Sequence, residues 1–134
     1  MTAWTKQNLG ELEDMAPKSG MGEVLEGRFA KGALELEQTG ISHQHLKPGK
    51  RLPFGHVHSV QEEIYVVLSG SGEMKVGDEM VALGGRLDAL RVAPGAWRGV
   101  QAGPDGLELL AFGAPVTEES DAEMDMEWWP SDAA

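Results

Sequence analysis

Residues 56–72 read HVHSVQEEIYVVLSGSG and place two histidines, two adjacent carboxylates and a glycine-rich turn around one apolar segment. In an extended strand the side chains of residues i and i+2 point to the same face. We therefore expect His56 and His58 to point the same way. Two imidazoles on one face can bind a single divalent metal ion, and a carboxylate from a neighbouring strand would complete a set of two His and one carboxylate that leaves coordination positions open.

The composition limits the classes of protein that need to be considered. A chain of 134 residues is expected to fold as one domain, and the absence of cysteine excludes disulfides, thiolate zinc sites and a cysteine nucleophile. The longest unbroken apolar run, Ile64 to Leu68, is too short for a signal peptide or a transmembrane helix, so we expect a soluble, cytoplasmic protein. A formal net charge of −11 disfavours nucleic acid and anionic membranes as partners.

Turn-forming Gly and Pro residues recur about every ten residues, a spacing typical of an all-β barrel or sandwich. Between these turns the sequence predicts strands at residues 24–29, 34–38, 41–46, 63–68, 73–76, 80–83, 88–92, 99–101 and 107–112. Gly77 and Asp78 are expected to form a hairpin turn. A short helix is predicted only at residues 9–15, near the N-terminus, and Ala16-Pro17 would end it.

The C-terminal segment differs from the rest of the chain. Residues 118–132 hold seven acidic and no basic side chains, together with the adjacent Trp128 and Trp129. A charge run is usually solvated, but two large aromatic side chains mostly indicate buried area. We expect this tail to pack on the barrel or on a second subunit, and a ligand-facing role is the less favoured interpretation.

Two segments resemble the motifs of the cupin superfamily. Residues 48–72, PGKRLPFGHVHSVQEEIYVVLSGSG, resemble the first motif, in which a Pro-Gly turn precedes His-x-His, a Glu follows, and a Gly comes seven residues after that Glu. Glu63 and Gly70 fit this spacing, whereas counting from Glu62 would place the glycine one residue late. Residues 88–100, DALRVAPGAWRGV, resemble the second motif, although Leu87 stands where that motif usually has glycine.

The resemblance implies an all-β fold, a double-stranded β-helix also called a jelly-roll or cupin barrel. On this basis residues 31–115 would form the barrel, residues 1–30 an N-terminal arm and residues 116–134 the acidic, tryptophan-containing tail. The aliphatic residues Ile64, Val66 and Leu68 would then lie on the outside of the barrel and need cover. Because small cupins are commonly homodimers, a second subunit is expected to provide it.

The resemblance also implies a set of metal ligands, His56, His58 and Glu63, for a divalent Fe, Mn, Ni or Zn ion. Where the second motif usually supplies a fourth ligand, this chain has Arg98, whose guanidinium stays protonated and cannot coordinate a metal. Two arrangements are consistent with this. Either Arg98 turns outward beside a metal held by three ligands, or the metal is absent and Arg98 pairs with Glu63.

Two further residues are candidates for the pocket. Gln44 shares a strand face with Ser42, and the resemblance implies that this face looks into the barrel, while His43 and His45 would lie on the outside. A glutamine there more often bonds to a neighbour than to a metal or substrate. Tyr65 shares a face with Glu63 and could donate a proton or orient a substrate, or could simply pack with its hydroxyl satisfied.

These observations leave two functions open. The first is a metal-dependent protein that binds a small oxygen-rich molecule and, if it is an enzyme, is an oxidoreductase of the dioxygenase type, a reaction class that rests on the family resemblance alone. The second is a metal-free, non-catalytic module that binds a small anion or sugar acid through Arg98.

Overall fold

The computed structural model describes residues 3–130, so the first two residues of the predicted arm and the last four of the predicted tail lie outside the described residues. Within this range the chain forms mainly β-strands. They are β1 (Leu25–Phe29), β2 (Gly40–Leu46), β3 (Gly55–His58), β4 (Glu62–Val76), β5 (Glu79–Leu83), β6 (Ala89–Val92), β7 (Arg98–Ala114) and β8 (Ala122–Asp125).

The N-terminal helical region is shorter than a regular helix. It consists of two 3-10 turns, Leu9–Glu11 and Pro17–Ser19, in place of the short helix predicted over residues 9–15. In the part of the chain that the structure describes, no helix is long and apolar enough to cross a membrane.

The strand predicted at residues 34–38 is wrong. The N–H of Leu34 donates to the carbonyl of Ala30 at 2.8 Å, which closes a turn at this point. Glu35 has a φ of 56°, in the left-handed region that a β-strand does not use. The alternation of Leu34 and Leu36 with polar residues therefore belongs to a turn and not to a strand.

The strands form two layers that share β4 and β7, and all pairs are antiparallel. The first layer has the order β1-β2-β7-β4-β6 and uses the C-terminal half of β7 with the N-terminal half of β4. The second has the order β5-β4-β7-β3-β8 and uses the other halves. Because both long strands pass from one layer to the other, the sheet curls into a barrel. The expected double-stranded β-helix is confirmed.

Beta-bulges mark the point where β4 and β7 change layers. Gly70 pairs with Leu107 and Gly72 with Ala102, so residues 103–106 oppose Ser71 alone. Gly70 has a φ of 74°, and a Cβ on it would lie 2.1 Å from the carbonyl oxygen of Gly106, so this position requires glycine. The four strands predicted at 63–68, 73–76, 99–101 and 107–112 are therefore parts of two continuous strands. The hairpin at Gly77-Asp78 is confirmed.

The inward-facing side chains become smaller toward one end of the barrel. Along β7 they follow in the order Leu107, Leu109, Ala111 and Gly113. The paired positions of β2 change in the same direction, in the order Leu46, Gln44, Ser42 and Gly40. Large aliphatic side chains therefore fill one end, and a cavity of about 480 Å³ opens at the other.

The C-terminal tail packs on the barrel of its own chain. Strand β8 pairs with β3 in the second layer. After it, the ring of Trp128 stacks on that of Trp97 with centroids 6.2 Å apart, and Nε1 of Trp129 donates to the carbonyl of Leu52 at 2.6 Å. The tail thus pairs along the edge of β3 and packs the Trp128 ring against Gly55.

Candidate metal centre

His56, His58 and Glu63 meet at the polar end of the cavity. The period of two along β3 directs both imidazoles inward, and β4 presents Glu63 to them. Nε2 of His56 lies 3.5 Å from Oε1 of Glu63, and Nε2 of His58 lies 3.8 Å from Oε2. One ligand atom of each residue lies within 4.8 Å of the other two.

This donor set fits the metal that the family resemblance implies. Atoms that bind one ion at about 2.1 Å lie roughly 3.0–3.6 Å from one another. The two histidine-to-carboxylate separations, 3.5 and 3.8 Å, are close to this range. Two imidazole nitrogens and a carboxylate oxygen suit divalent Fe, Mn, Ni and Zn, and three protein ligands leave positions open. The cluster is therefore compatible with a mononuclear metal site and does not select among these ions.

Arg98 lies behind the carboxylate of Glu63 and has no solvent exposure. Its Nη2 donates to Oε1 of Glu63 at 3.1 Å, and its Nη1 donates to the carbonyl of Ala96 at 2.8 Å. The side chain is thus paired with Glu63 and does not turn outward, which is the arrangement expected from the sequence for a metal-free site. Because Arg98 engages Oε1, the other carboxylate oxygen remains directed toward His58.

Tyr65 completes the hydrogen bonds behind Glu63. Its hydroxyl donates to Oε1 of Glu63 and accepts a bond of 3.3 Å from Nε of Arg98. Burial and the neighbouring charge of Glu63 raise the pKa of Tyr65 well above its ordinary value. The tyrosine therefore stays protonated and acts as a donor to the carboxylate.

These contacts keep Glu63 ionised. Burial raises its pKa, but hydrogen bonds from His56 and Tyr65 and the positive charge of Arg98 outweigh burial and lower the pKa to about 2. At neutral pH the residue is a carboxylate, which is the form that binds a metal.

Asp121, on the tail just before β8, contacts the cluster from the outside. Its Oδ1 lies 2.8 Å from Nδ1 of His58, and its Oδ2 accepts bonds from the backbone N–H groups of Val60, at 2.9 Å, and Gln61, at 2.8 Å. Burial raises the pKa of Asp121, but the bonds from His58 and from these two backbone groups lower it to about 2. Sequence reasoning missed this residue. The paired tryptophans indicated that the tail docks, but no spacing identified which of its acids would face His58.

The remaining predicted pocket residue lies on the opposite wall. Nε2 of Gln44 donates to Oγ of Ser42 at 3.1 Å, and both residues line the cavity. His43 lies on the outer face of the same strand, with its Nε2 2.7 Å from Oε2 of Glu108. The structure thus places Gln44 inside the barrel and bonded to a neighbour.

The cavity has a mostly apolar wall. It is lined by side chains that the sequence did not single out, including Met15, Met21, Phe29, Phe54 and Met124, together with Lys31. The methionines come from the N-terminal arm and from β8. Arm and tail therefore both contribute to the wall of the cavity.

Solved structures of similar fold span nearly the whole chain. A cupin protein from Bacteroides fragilis is 26% identical, with a TM-score of 0.69 over 90% of this chain and 91% of that chain. The nucleoside dehydratase Pac13 of Streptomyces is 17% identical, with a TM-score of 0.70 over 90% of this chain and 89% of that chain. Oxalate decarboxylase from Bacillus subtilis is 18% identical, with a TM-score of 0.74 over 96% of this chain and 34% of that chain.

No protein-family model and no curated protein matches the chain. The two-layered barrel with a His, His and Glu cluster in its cavity defines a double-stranded β-helix protein with a possible metal site. The structural neighbours show that the chain has the double-stranded β-helix fold of cupin proteins, in agreement with the sequence motifs.

Proposed function

We propose that the protein holds one divalent transition-metal ion through His56, His58 and Glu63 and uses it to bind a small oxygen-rich molecule. The observation that supports this most directly is the convergence of three ligand atoms, within 4.8 Å of one another, on a cavity of about 480 Å³. A bound ion of this kind supplies a Lewis acid or a site for dioxygen activation. Oxidation of the dioxygenase type is the reaction class to test first.

Arg98 and Tyr65 prepare the carboxylate for this role. By holding Oε1 of Glu63 they leave Oε2 directed into the cluster. The arrangement has a cost, because a guanidinium about 5 Å from a dication raises its energy by roughly 6–7 kcal/mol at an effective dielectric constant of about 20. The charge of Glu63, between the two, offsets part of this repulsion. We therefore expect metal affinity to be weaker than that of a site with a fourth histidine.

The cavity wall indicates the ligand class. Besides the polar cluster, the cavity is lined by methionine and aromatic side chains and by Lys31. Such a wall suits a molecule with an oxygen-rich, anionic end at the metal and an apolar remainder. A second anionic group could reach Lys31.

Metal titration of the purified, tag-free protein tests the proposal. Chelated protein is titrated with Fe(II), Mn(II), Ni(II) and Zn(II), and bound metal is measured by elemental analysis. We expect about one equivalent in the wild type and none in His58→Ala. His45→Ala, which removes a histidine from the outer face of β2, is the matched control and should bind like the wild type. Absence of binding by the wild type to all four ions would overturn the proposal.

One observation favours the alternative of a metal-free binding module. The buried ion pair of Arg98 and Glu63 balances the charge of the site without an ion. Because Arg98 and Tyr65 are both buried, a ligand would meet the two histidines first, and Arg98 would act through Glu63. Pac13 structures contain uridine, so uridine belongs in the ligand screen beside small carboxylates and sugar acids. Ligand binding that persists unchanged after chelation would support this alternative.

A further inference from the structure

Asp121 makes a short polar contact to the cluster from outside it. Its side chain is 10% exposed, that of His58 is 14% exposed, and the two are joined by the 2.8 Å contact between Oδ1 and Nδ1. We infer that Asp121 is a positioning residue, which holds His58 in the tautomer with the proton on Nδ1 and thereby directs the lone pair of Nε2 into the cavity. Only the use of that lone pair by a metal rests on the proposed function.

The chemistry of the two groups determines the direction of the hydrogen bond. An ionised carboxylate can only accept hydrogen bonds, so Nδ1 of His58 must be the donor. In a neutral imidazole the other nitrogen then carries the lone pair. Nε2 of His58 is the atom that faces Glu63, at 3.8 Å from Oε2. The nitrogen that a metal would require is therefore the one left unprotonated.

The carboxylate cannot easily turn to offer a different contact. Its second oxygen, Oδ2, accepts two backbone N–H groups, those of Val60 and Gln61, in the loop between β3 and β4. Turning the carboxylate would take the acceptor away from both of these backbone donors. The loop therefore fixes Asp121, and Asp121 in turn fixes His58.

Because of this geometry, replacing the carboxylate of Asp121 with an amide of the same shape tests the inference directly. In Asp121→Asn the two backbone donors retain the amide oxygen as their acceptor, so the amide NH₂ points at Nδ1 of His58. Since NH₂ only donates, Nδ1 must accept, and the imidazole proton moves to Nε2, the atom that faces the cavity. The substitution is expected to invert the tautomer with little change in shape.

The inference assigns the tail a role in the site. Ala122 and Met124 of β8 line the cavity, and residue 121 contacts His58 at its edge, although all three follow the other barrel strands in the chain. The tail thus orients one candidate ligand and also closes part of the wall. Loss of Asp121 should therefore change the site even when the barrel is intact.

Long-range ¹H–¹⁵N NMR of the imidazoles tests the inference on chelated protein at a pH where both rings are neutral. His58 is assigned from the spectrum of His58→Ala. We expect the Nδ1–H tautomer in the wild type and the Nε2–H tautomer in Asp121→Asn. Glu123→Gln, the same neutralisation at an exposed site on β8, should match the wild type. Metal titration of the same samples should show a 10- to 100-fold loss of affinity in Asp121→Asn alone, about the size seen when outer partners of metal ligands are removed.

An Nε2–H tautomer in the wild type would overturn the inference, and so would an Nδ1–H tautomer that persists in Asp121→Asn. If Asp121→Asn does not fold, the wild-type spectrum alone decides the question. If the tautomer inverts as expected but the wild type binds none of the four metals, the positioning role of Asp121 stands and the proposed metal function fails.

Discussion

Nη2 of Arg98 lies 3.1 Å from Oε1 of Glu63, in an ion pair whose cationic side chain has no solvent exposure. A second Arg-Glu pair joins neighbouring strands on the outside of the barrel, where Nη1 of Arg91 lies 3.7 Å from Oε2 of Glu62 and both side chains are more than half exposed. The two pairs have the same chemistry and differ in burial. They therefore allow the effect of burial to be measured within one protein.

Arg98→Met is expected to lower the free energy of unfolding by about 3–5 kcal/mol, because it leaves the carboxylate of Glu63 buried without its cation. Arg91→Met, the matched control, should lower it by less than about 1 kcal/mol, since water and salt screen exposed pairs. Urea denaturation of the three proteins measures the difference. Equal decreases in the free energy of unfolding of the two variants would show that the buried pair stabilises the protein no more than the exposed pair.

Arg98→His is expected to tighten metal binding at least about tenfold. The substitution removes a positive charge beside the ion and adds an imidazole opposite His56, the residue with which Arg98 pairs across β3 and β7. Titration with Zn(II) and Mn(II) measures the change. Unchanged affinity would mean that position 98 is not where a fourth ligand would stand.

Acid should destabilise the protein through Glu63 and Asp121. Each has a pKa of about 2 when folded, below the ordinary values of 4.5 and 3.8. The unfolded chain therefore binds more protons between these limits, so the stabilisation is complete above about pH 4.5 and is lost as the pH falls toward 2. For Glu63 the loss is on the order of 3 kcal/mol. Urea unfolding from pH 7 to pH 2 should show this decline, and a Glu63→Gln variant with an equally steep decline would contradict it.

Leu87→Gly is expected to raise the free energy of unfolding by up to about 1 kcal/mol. Leu87 has a φ of 74°, so its backbone adopts the unfavourable left-handed conformation. Its side chain is 61% exposed, so truncation removes little buried area. The left-handed conformation costs about 1–2 kcal/mol for a residue other than glycine. The greater conformational entropy of glycine in the unfolded chain offsets about 0.5–1 kcal/mol of the gain from removing this cost. Leu87→Ala keeps the strained backbone and should bring no gain. A glycine variant no more stable than the alanine variant would refute the strain.

A second copy of the chain is expected to cover the outer face of the first layer. Ile64 and Phe112 pair there across β4 and β7 and are 40% and 38% exposed. Sedimentation should show a homodimer that Phe112→Glu shifts toward monomer. Met80→Glu, which changes an apolar residue 47% exposed on β5, should leave the dimer intact. A wild type that is monomeric at micromolar concentration would contradict the expectation.

Short-range spacing was sufficient to predict which side chains share a face. The inward positions of His56 and His58, and of Glu63 and Tyr65, follow from the two-residue period of a strand, and the family motifs supplied the barrel. The same local reading failed at Leu34 and Leu36, because alternation over a few residues also occurs in a turn. The same approach split β4 and β7 into two predicted strands each, because the sequence does not distinguish a glycine in a β-bulge from a glycine in a turn.

The contact between His58 and Asp121 joins residues 63 positions apart, and no periodicity relates them. Its existence depends on how β8 aligns with β3, and the acidic composition of the tail gave no strand signal. The contact from Arg98 to Glu63 was foreseen as one of two arrangements, because position 98 could be located from the second motif. The two contacts differ because Arg98 lies in the second motif, whereas Asp121 lies in neither motif.

β8 is the last of the described strands, and during synthesis on a ribosome it emerges after the other seven. The three candidate ligands lie within residues 56–63 and emerge far earlier. The barrel strands can thus pair before Asp121 exists, whereas His58 gains its partner only when the tail arrives. A message truncated after β7 would encode the strands of the barrel but not the group that orients His58.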